Sequence, residues 1–176
     1  MANSNDVKVV TGKARLCYAN VWTPKKNDSG KEVYSVTIVI PKSDTETINA
    51  IENAEKEVYS KSEEVLKGNN RTVPKMEDIK LPLRDGDEER EGDPIFAGSY
   101  FLNATSIYAP GIFDADRNII TDREEVYSGC YGRVSVTFYA YNKKGGRGIA
   151  CGLRGIQKVE DGEALGGFAS VAEDFA

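Results

Sequence analysis

The sequence predicts a mainly β protein: a small antiparallel barrel or sandwich that carries one substantial helix. About six segments are β-branched or alternate between apolar and polar residues, and turn-forming residues separate them. Only one long segment has helical periodicity, so an alternating β/α fold is not favoured. With 176 residues, the chain is long enough for a single domain with a substantial core.

The first two strands are predicted from alternation and from β-branched residues. Residues 7–19 form the first strand. Alternation divides it into two faces, with Val10, Ala14, Leu16 and Tyr18 on one and Thr11, Lys13, Arg15 and Cys17 on the other. A turn signal at residues 27–30 precedes the second strand, residues 33–40, which is β-branched and ends at Pro41.

A single helix is predicted over residues 43–67. Ser43 is a candidate N-cap, and Glu46 completes a capping box three residues later. Five apolar residues recur at helical spacing: Ile48, Ile51, Ala54, Val58 and Val65. Residues 69–98 follow; they are rich in Pro, Gly and charge and lack a sustained period, which predicts a long inserted surface loop.

The remaining strands are predicted in the second half of the chain. They cover residues 100–107, a short segment around 126–128, 132–141 and 148–159, and an Asp-rich connection occupies residues 112–123. The domain is therefore expected to span residues 1–158. Residues 159–176 are expected to form an acidic, flexible C-terminal tail.

The charge of the chain is strongly uneven along the sequence. The net charge of -5 and the pI near 5.0 argue, as averages, against a nucleic-acid partner. However, residues 85–93 carry six acids and one Arg, residues 43–67 carry seven acids and three Lys, and residues 159–176 carry five acids without a Lys or Arg. What remains is a set of strands and loops with an excess of positive charge.

Residue types exclude several classes of function. The chain has no His, which excludes Ser-His-Asp and Cys-His catalysis and His-ligated metals. Cys17, Cys130 and Cys151 form no Cys-x-x-Cys pair and are expected to be reduced and buried. No secretory signal opens the chain and no apolar run is long enough to span a membrane, so we expect a cytoplasmic protein.

The strand at residues 133–141 carries the main functional signal. Its apolar residues alternate with Arg133, Ser135, Thr137, Tyr139 and Tyr141. Aromatic rings beside cations are what single-stranded nucleic acid requires, because every base offers a π-face and every phosphate a charge. The alternative is that these tyrosines are ordinary cross-strand packing partners on a solvated face.

The candidate site residues extend this pattern to neighbouring strands. The predicted base-stacking residues are Tyr139, Tyr141, Trp22 and Tyr18, and the predicted phosphate-binding residues are Lys13, Arg15, Lys25, Lys26, Arg133, Lys143, Lys144, Arg147 and Arg154. The alternative for Trp22, the only tryptophan, is an anchor in the core or at its rim.

Two carboxylate-rich segments raise the alternative of a metal site. Asp85, Asp87 and Glu88 could hold a divalent metal in a nuclease, although consecutive acids in a Gly-rich loop are more often solvated. A second set matches the acidic positions of a calcium loop: Asp114, Asp116, Asn118, Asp122 and Glu125. Ile119 stands there at the position that requires Gly, so we expect no calcium site.

Several longer segments resemble a known family. They are Val10-Thr-Gly-Lys-Ala-Arg-Leu16, Leu81-Pro-Leu-Arg-Asp-Gly-Asp-Glu-Glu89, Pro110-Gly-Ile-Phe-Asp-Ala-Asp116, Val126-Tyr-Ser-Gly-Cys-Tyr-Gly-Arg133 and Gly148-Ile-Ala-Cys-Gly-Leu153 with Gly166-Gly167. In these the chain resembles bacteriophage-encoded single-stranded-DNA-binding proteins with an OB-type barrel. The resemblance covers nearly the whole length.

The resemblance implies a function without catalysis or cofactor. It implies binding of exposed single-stranded DNA, without strong sequence preference, during phage DNA replication or recombination in the bacterial host. The acidic end with Glu173, Asp174 and Phe175 is similar to the tails of such proteins, which implies replication or recombination proteins as partners. Monomer and homo-oligomer both stay open, and a structural module of the virion is a further alternative.

Overall fold

The structure, a computed structural model, describes residues 5–143 and 146–165. Within them the chain forms eight strands, three α-helices and two 3₁₀ turns. The elements are β1 (Val7–Val10), β2 (Ala14–Lys26), β3 (Glu32–Pro41), α1 (Thr45–Lys61), α2 (Glu63–Lys67), a 3₁₀ turn (Met76–Asp78), β4 (Arg84–Asp85), α3 (Gly86–Glu89), β5 (Ser99–Ser106), β6 (Gly111–Phe113), a 3₁₀ turn (Arg123–Glu125), β7 (Tyr131–Lys143) and β8 (Gly146–Glu160).

Five of the strands close into a ring. β7 pairs with β2, β2 with β3, β3 with β5, β5 with β8, and β8 pairs back with β7. The β5–β8 pairing is parallel, and the other four are antiparallel. This is the connectivity of the five-stranded Greek-key barrel of the OB fold, which confirms the predicted fold class.

The barrel interior is built by the alternation that the sequence shows. Val134, Val136 and Phe138 of β7 are fully buried, and Ile38 and Leu102 face them from β3 and β5. One face of α1 packs on this core through Ile48, Ile51, Ala54 and Val58. All three cysteines are buried as free thiols. Among the described residues, no helix has the length and apolar character to cross a membrane.

The predicted first strand is interrupted twice, and three of its face assignments, Val10, Thr11 and Tyr18, are wrong. The chain leaves strand geometry at residues 11–13, which divides β1 from β2 and leaves Thr11 buried while Val10 is exposed. Cys17 keeps the face of Arg15, as predicted, and is buried there in a small outer cluster with Val39, Phe96 and Phe101. A register shift between Cys17 and Asn20 leaves Tyr18 exposed. A β-bulge exchanges the faces of the residues beside it, and alternation alone does not predict where it occurs.

The helical segment also differs from its prediction. The predicted single helix is two helices that meet at the buried Ser62. The N-cap is Asp44, whose carboxylate accepts a hydrogen bond from the Thr47 backbone N–H at 3.2 Å, rather than Ser43. No strand forms at residues 126–128, which are described, whereas β6 forms inside the predicted Asp-rich connection.

Candidate nucleic-acid interface

An open groove lies where the β2–β3 and β7–β8 hairpins meet the end of β5. It encloses about 560 Å³ and continues into a second depression of about 440 Å³ that shares Thr105, Tyr139 and Lys143 with it. We call both together the groove. Its lining residues include Asn27, Ser29 and Lys31 of the first hairpin, Ile107 and Tyr108 after β5, Tyr139, Tyr141 and Lys143 of β7, and Arg154 of β8.

Alternation along β7 brings its tyrosines to the groove. Tyr139 pairs with Ala150 and Tyr141 with Gly148 in the β7–β8 ladder. A Cβ atom at Gly152 would lie 3.5 Å from the Tyr139 ring, an ordinary contact distance, so the ring lies against this part of β8. Burial raises the pKa of the Tyr139 phenol, with neighbouring Cys151 and Asp6 adding to it, so the ring stays neutral at physiological pH.

Cations outnumber acidic residues in the lining of the groove, where Asp6 is the acidic residue that the described chain contributes. Lys31, Lys80, Lys143 and Arg154 line it, and within the described residues none of them forms a salt bridge. The Lys143 ammonium lies 5.4 Å from the centroid of the Tyr141 ring. The groove therefore combines aromatic rings with a net positive lining, four cations against the carboxylate of Asp6 among the described residues.

A short strap, residues 79–83, brings Lys80 to the groove. The Lys80 N–H donates to the Arg147 carbonyl at 3.0 Å, and the Lys80 carbonyl accepts from the Ile149 N–H at 2.9 Å. A side chain at Gly148 would overlap the Lys80 backbone, so glycine is required for this close approach. From α1, the buried Glu55 accepts a hydrogen bond from the Leu83 N–H at 3.3 Å and anchors the other end of the strap.

Exposed side chains at the end of β5 complete the groove. The Tyr108 side chain is 73% exposed, and Ile107 beside it is 50% exposed. Both follow the last residue of β5 and lie opposite the tip of the β2–β3 hairpin. An exposed aromatic ring at the edge of a cationic groove is a further platform on which a base could stack.

The other end of the barrel holds a second cluster of tyrosines and cations. Lys13 and Arg15 both lie against the Tyr131 ring, at 5.2 and 5.6 Å from its centroid. Here residues 160–165, which we call the C-terminal latch, cover the cluster: Lys13 forms a salt bridge with Glu160, and Arg15 donates to the Glu163 carbonyl at 3.0 Å. These two predicted phosphate-binding residues therefore lie outside the groove.

Other predicted site residues also lie outside the groove. Trp22 packs against the core and its indole N–H donates to the Val126 carbonyl at 2.9 Å. Tyr18 lies beside Arg90, Arg133 donates to the Thr11 carbonyl, and Arg147 to the Leu66 carbonyl. Lys25 and Lys26 are exposed at the end of β2. Lys144, Glu173, Asp174 and Phe175 are outside the described residues. Tyr139, Tyr141, Lys143 and Arg154 are the predicted residues that the fold brings together.

The acidic segments have structural partners in the fold. The Lys42 ammonium lies 2.9 Å from carboxylate oxygens of both Asp85 and Asp87, and its hydrogen bonds lower the pKa of each of these carboxyls. Asp114 accepts hydrogen bonds from the backbone N–H groups of Asp116 and Asn118 in a tight turn. No group of three or more metal-ligating side chains occurs in the part of the chain that the structure describes.

Comparison with known proteins identifies the family. A family model described as Enterobacter phage Enc34, ssDNA-binding protein, matches residues 7–176. The chain belongs to this family of phage single-stranded-DNA-binding proteins. A relative from Acyrthosiphon pisum secondary endosymbiont phage 1, putative protein p50, is 32% identical over 178 residues, covering 95% of this chain and 92% of the relative.

Solved structures of phage proteins share the fold. The single-stranded DNA-binding protein from bacteriophage Enc34 in complex with ssDNA superimposes with a TM-score of 0.72 at 23% identity, over 93% of this chain and 90% of the other. Gp2.5, a single-stranded DNA binding protein encoded by bacteriophage T7, gives a TM-score of 0.65 at 18% identity, over 96% and 94% of the two chains. At such identities the likeness establishes the barrel architecture.

The groove includes residues that sequence patterns did not reveal. Lys31 lies just beyond a predicted turn, Lys80 in a predicted loop, and Tyr108 directly after a predicted strand. Their signal is weak because isolated cations and tyrosines in loops are common. Only the closure of the barrel brings these three loops to one place.

Proposed function

We propose that the chain binds single-stranded DNA along the groove, without strong sequence preference. The observation that carries this proposal is the combination of Tyr139 and Tyr141 with four cations, against the one carboxylate of Asp6, in the described lining of the groove. OB folds bind oligonucleotides on the second and third strands of the barrel and at the loops after the first and fourth. In this ring those elements are β3, β5 and the two hairpin tips, which border the groove.

The chemistry of the groove favours sequence-tolerant binding. A tyrosine ring accepts any base on its π-face, and stacking contributes about 1–3 kcal/mol per base. Lys31, Lys80, Lys143 and Arg154 would contact phosphates, which carry no sequence information. Both interactions apply to any single strand, whereas the paired bases of a duplex are not available to stack on protein rings.

The biological role follows from this activity. The chain would cover and protect single-stranded DNA during phage DNA replication or recombination, in the cytoplasm of the bacterial host. It would act without catalysis, since Lys42 engages Asp85 and Asp87, two of the three carboxylates considered for a nuclease, the third being Glu88. Membership of the family of phage single-stranded-DNA-binding proteins supports this role.

A titration with fluorescent oligo-dT of graded length, at two salt concentrations, tests the proposal. We expect affinity to rise with length until the groove is filled. We also expect the log of the binding constant to fall with log salt by roughly 0.7 per phosphate neutralised. Equal affinity for duplex and single strand, or binding that salt does not affect, would overturn it.

The C-terminal residues are proposed to recruit protein partners. Glu173, Asp174 and Phe175 combine charge with an aromatic ring, which suits a basic, partly apolar surface on a replication or recombination protein. Deleting residues 170–176 should abolish capture of such a partner while DNA affinity is unchanged. If the deletion instead strengthens DNA binding, the acidic end competes with DNA for the groove.

A further inference from the structure

A second cavity, separate from the groove, opens beside the exposed Tyr18. It encloses about 290 Å³, and its lining is almost entirely apolar. We call it the apolar pocket; its lining residues are Cys17, Tyr18, Ile95, Phe96, Ser128 and Leu165. A volume at the lower end of the range for ligand pockets suits one bulky side chain.

The walls of the apolar pocket are aromatic and well supported. Phe96 packs edge-to-face on Phe101 with ring centroids 5.1 Å apart, and the Arg90 guanidinium lies 5.0 Å from the Phe96 ring and 5.9 Å from that of Tyr18. Tyr18 adopts a φ of 47°, which is uncommon for a bulky residue, and its side chain is 58% exposed. The bulge in β2 thus presents a large ring to solvent at the rim of an apolar cavity.

The C-terminal latch leads the chain directly to this cavity. Arg15 donates to the Glu163 carbonyl, and the Leu165 N–H donates to the Ser128 carbonyl at 2.9 Å. Leu165 itself packs on the small cluster formed by Cys17, Val39, Phe96 and Phe101. The next residues in the sequence are Gly166, Gly167 and Phe168, which are outside the described residues.

We propose that the apolar pocket is the docking site of Phe168 of the same chain. Three residues of chain reach at most about 11 Å, so Phe168 must lie within that distance of Leu165, which already lines the pocket. The two glycines between them adopt either sign of φ, which allows the chain to turn back towards the cavity. The other tail ring, Phe175, would have to close a ten-residue loop, which costs more conformational entropy.

Docking of Phe168 would fix where the acidic end of the chain begins. Only residues 169–176 would then project, and eight residues span at most about 28 Å. They would start at the latch end of the barrel, and Tyr131 at that end is separated from Tyr139 in the groove by eight strand residues, roughly 26 Å. Glu173 and Asp174 follow Phe168 by five and six residues, which span at most about 18 and 22 Å, so a docked chain would keep both carboxylates short of its own groove.

Cys17 provides a reporter because its thiol lines the apolar pocket. Burial raises the pKa of Cys17 to about 11, so alkylation should be slow and limited by access. We would measure the rate of iodoacetamide labelling at Cys17 in the full-length protein at pH 9 by mass spectrometry, with Cys130 and Cys151 as internal references. Phe168→Ala should raise the Cys17 rate at least several-fold, whereas the matched variant Phe175→Ala should leave it unchanged.

A second measurement tests proximity directly. Under mild oxidation by oxidised glutathione, Phe168→Cys should form a disulfide with Cys17, and Phe175→Cys should not. The two variants are compared after their melting temperatures have been shown to be equal. Equal labelling of Cys17 in the parent and Phe168→Ala, together with no disulfide from Phe168→Cys, would overturn the proposal. If Phe175→Ala speeds Cys17 labelling, or Phe175→Cys forms the disulfide, while the Phe168 variants do not, then Phe175 occupies the pocket. If Cys17 labelling slows as protein concentration rises, then a second copy of the chain covers it. Either result also overturns it.

Discussion

The groove and the latch end of the barrel contain the same kinds of residue with different partners. At the latch end, Tyr131 lies under Lys13 and Arg15, and both cations are bound by residues 160–163. In the groove, Tyr139 and Tyr141 lie beside Lys143, and no carboxylate of the described chain pairs with that lysine. Tyr131 and the groove tyrosines even share one strand and one face, since they are separated by even numbers of residues.

The comparison shows that a pattern of aromatic and basic residues does not by itself mark a binding surface. What distinguishes the two ends is whether the same chain already satisfies the cations. A cation that its own chain already holds offers less to a phosphate, by the roughly 0–1 kcal/mol that an exposed ion pair such as that of Lys13 with Glu160 contributes. The groove offers accessible rings beside a lining with more cations than carboxylates, whereas at the latch end residues 160–163 hold the cations.

The largest expected effect comes from the groove rings. Tyr139→Ala or Tyr141→Ala should weaken binding to oligo-dT by about 1–3 kcal/mol, roughly 5- to 150-fold, because each removes a stacking platform. The measurement is a fluorescence titration at fixed salt. Tyr131→Ala is the matched control from the same strand, and its affinity should equal that of the parent. Equal losses at all three positions would abolish the distinction between the two ends.

The stability of the folded protein should depend on pH through Glu55, which anchors the strap beside the groove. Burial raises the pKa of Glu55 from its ordinary 4.5 to about 7, so the folded protein holds a proton that the unfolded chain releases. Below about pH 4.5 Glu55 is protonated in both the folded and the unfolded state and the stability of the protein is unaffected. The free energy of unfolding then falls as pH rises from about 4.5 to about 7. Glu55→Gln should be increasingly more stable than the parent over this interval, by up to about 3 kcal/mol above pH 7.

Urea unfolding at pH 5 and pH 8 measures this difference, since Gln still offers an oxygen to the Leu83 N–H. A gap between the two proteins that is the same at both pH values would show that Glu55 does not titrate in this range. Glu57→Gln, which removes a carboxylate from the exposed surface of the same helix, is the matched control.

Cations of the groove and cations of the latch end should differ in how much they contribute to the salt dependence of DNA binding. Lys143→Ala or Arg154→Ala should reduce the slope of log binding constant against log salt by roughly 0.7, because one phosphate contact is lost. Lys13→Ala, at the latch end, should leave the slope unchanged because Glu160 already pairs with Lys13. A slope that falls for Lys13→Ala would mean that DNA displaces the latch.

The smallest expected effect concerns the latch itself. The Tyr127 hydroxyl donates to Asp161 at 3.0 Å and accepts from the Gly162 N–H at 3.1 Å. Tyr127→Phe should therefore cost about 1 kcal/mol, a fall of roughly 2–4 °C in melting temperature, with unchanged DNA affinity. Calorimetry measures the melting temperature, and titration with oligo-dT measures the DNA affinity. Tyr139→Phe is the control, and a similar fall there would show that the hydroxyl contacts of the latch contribute nothing specific.

Much of the fold could be predicted from local patterns, and less of the candidate site. The long strands β3, β5, β7 and β8 follow from β-branched residues and alternation, which are local properties. The bulge at Cys17 and Tyr18 could not be predicted because it depends on how β2 pairs with β3. The two helices at residues 45–67 read as one because Ser62 interrupts the backbone without interrupting the apolar spacing.

The sequence by itself determined the β-rich class, the position of the main strands and the separation of acidic segments from a basic framework, and it placed Tyr139 and Tyr141 on one face of a strand. Only the tertiary structure decided which cations lie beside these two rings. Lys31, Lys80 and Arg154 come from a hairpin, a strap and a strand that are distant in sequence, and ring closure brings them together. Lys13 and Arg15 bind Glu160 and Glu163 of the latch at the opposite end of the barrel. These contacts depend on how strands pair across the barrel, which local sequence does not encode.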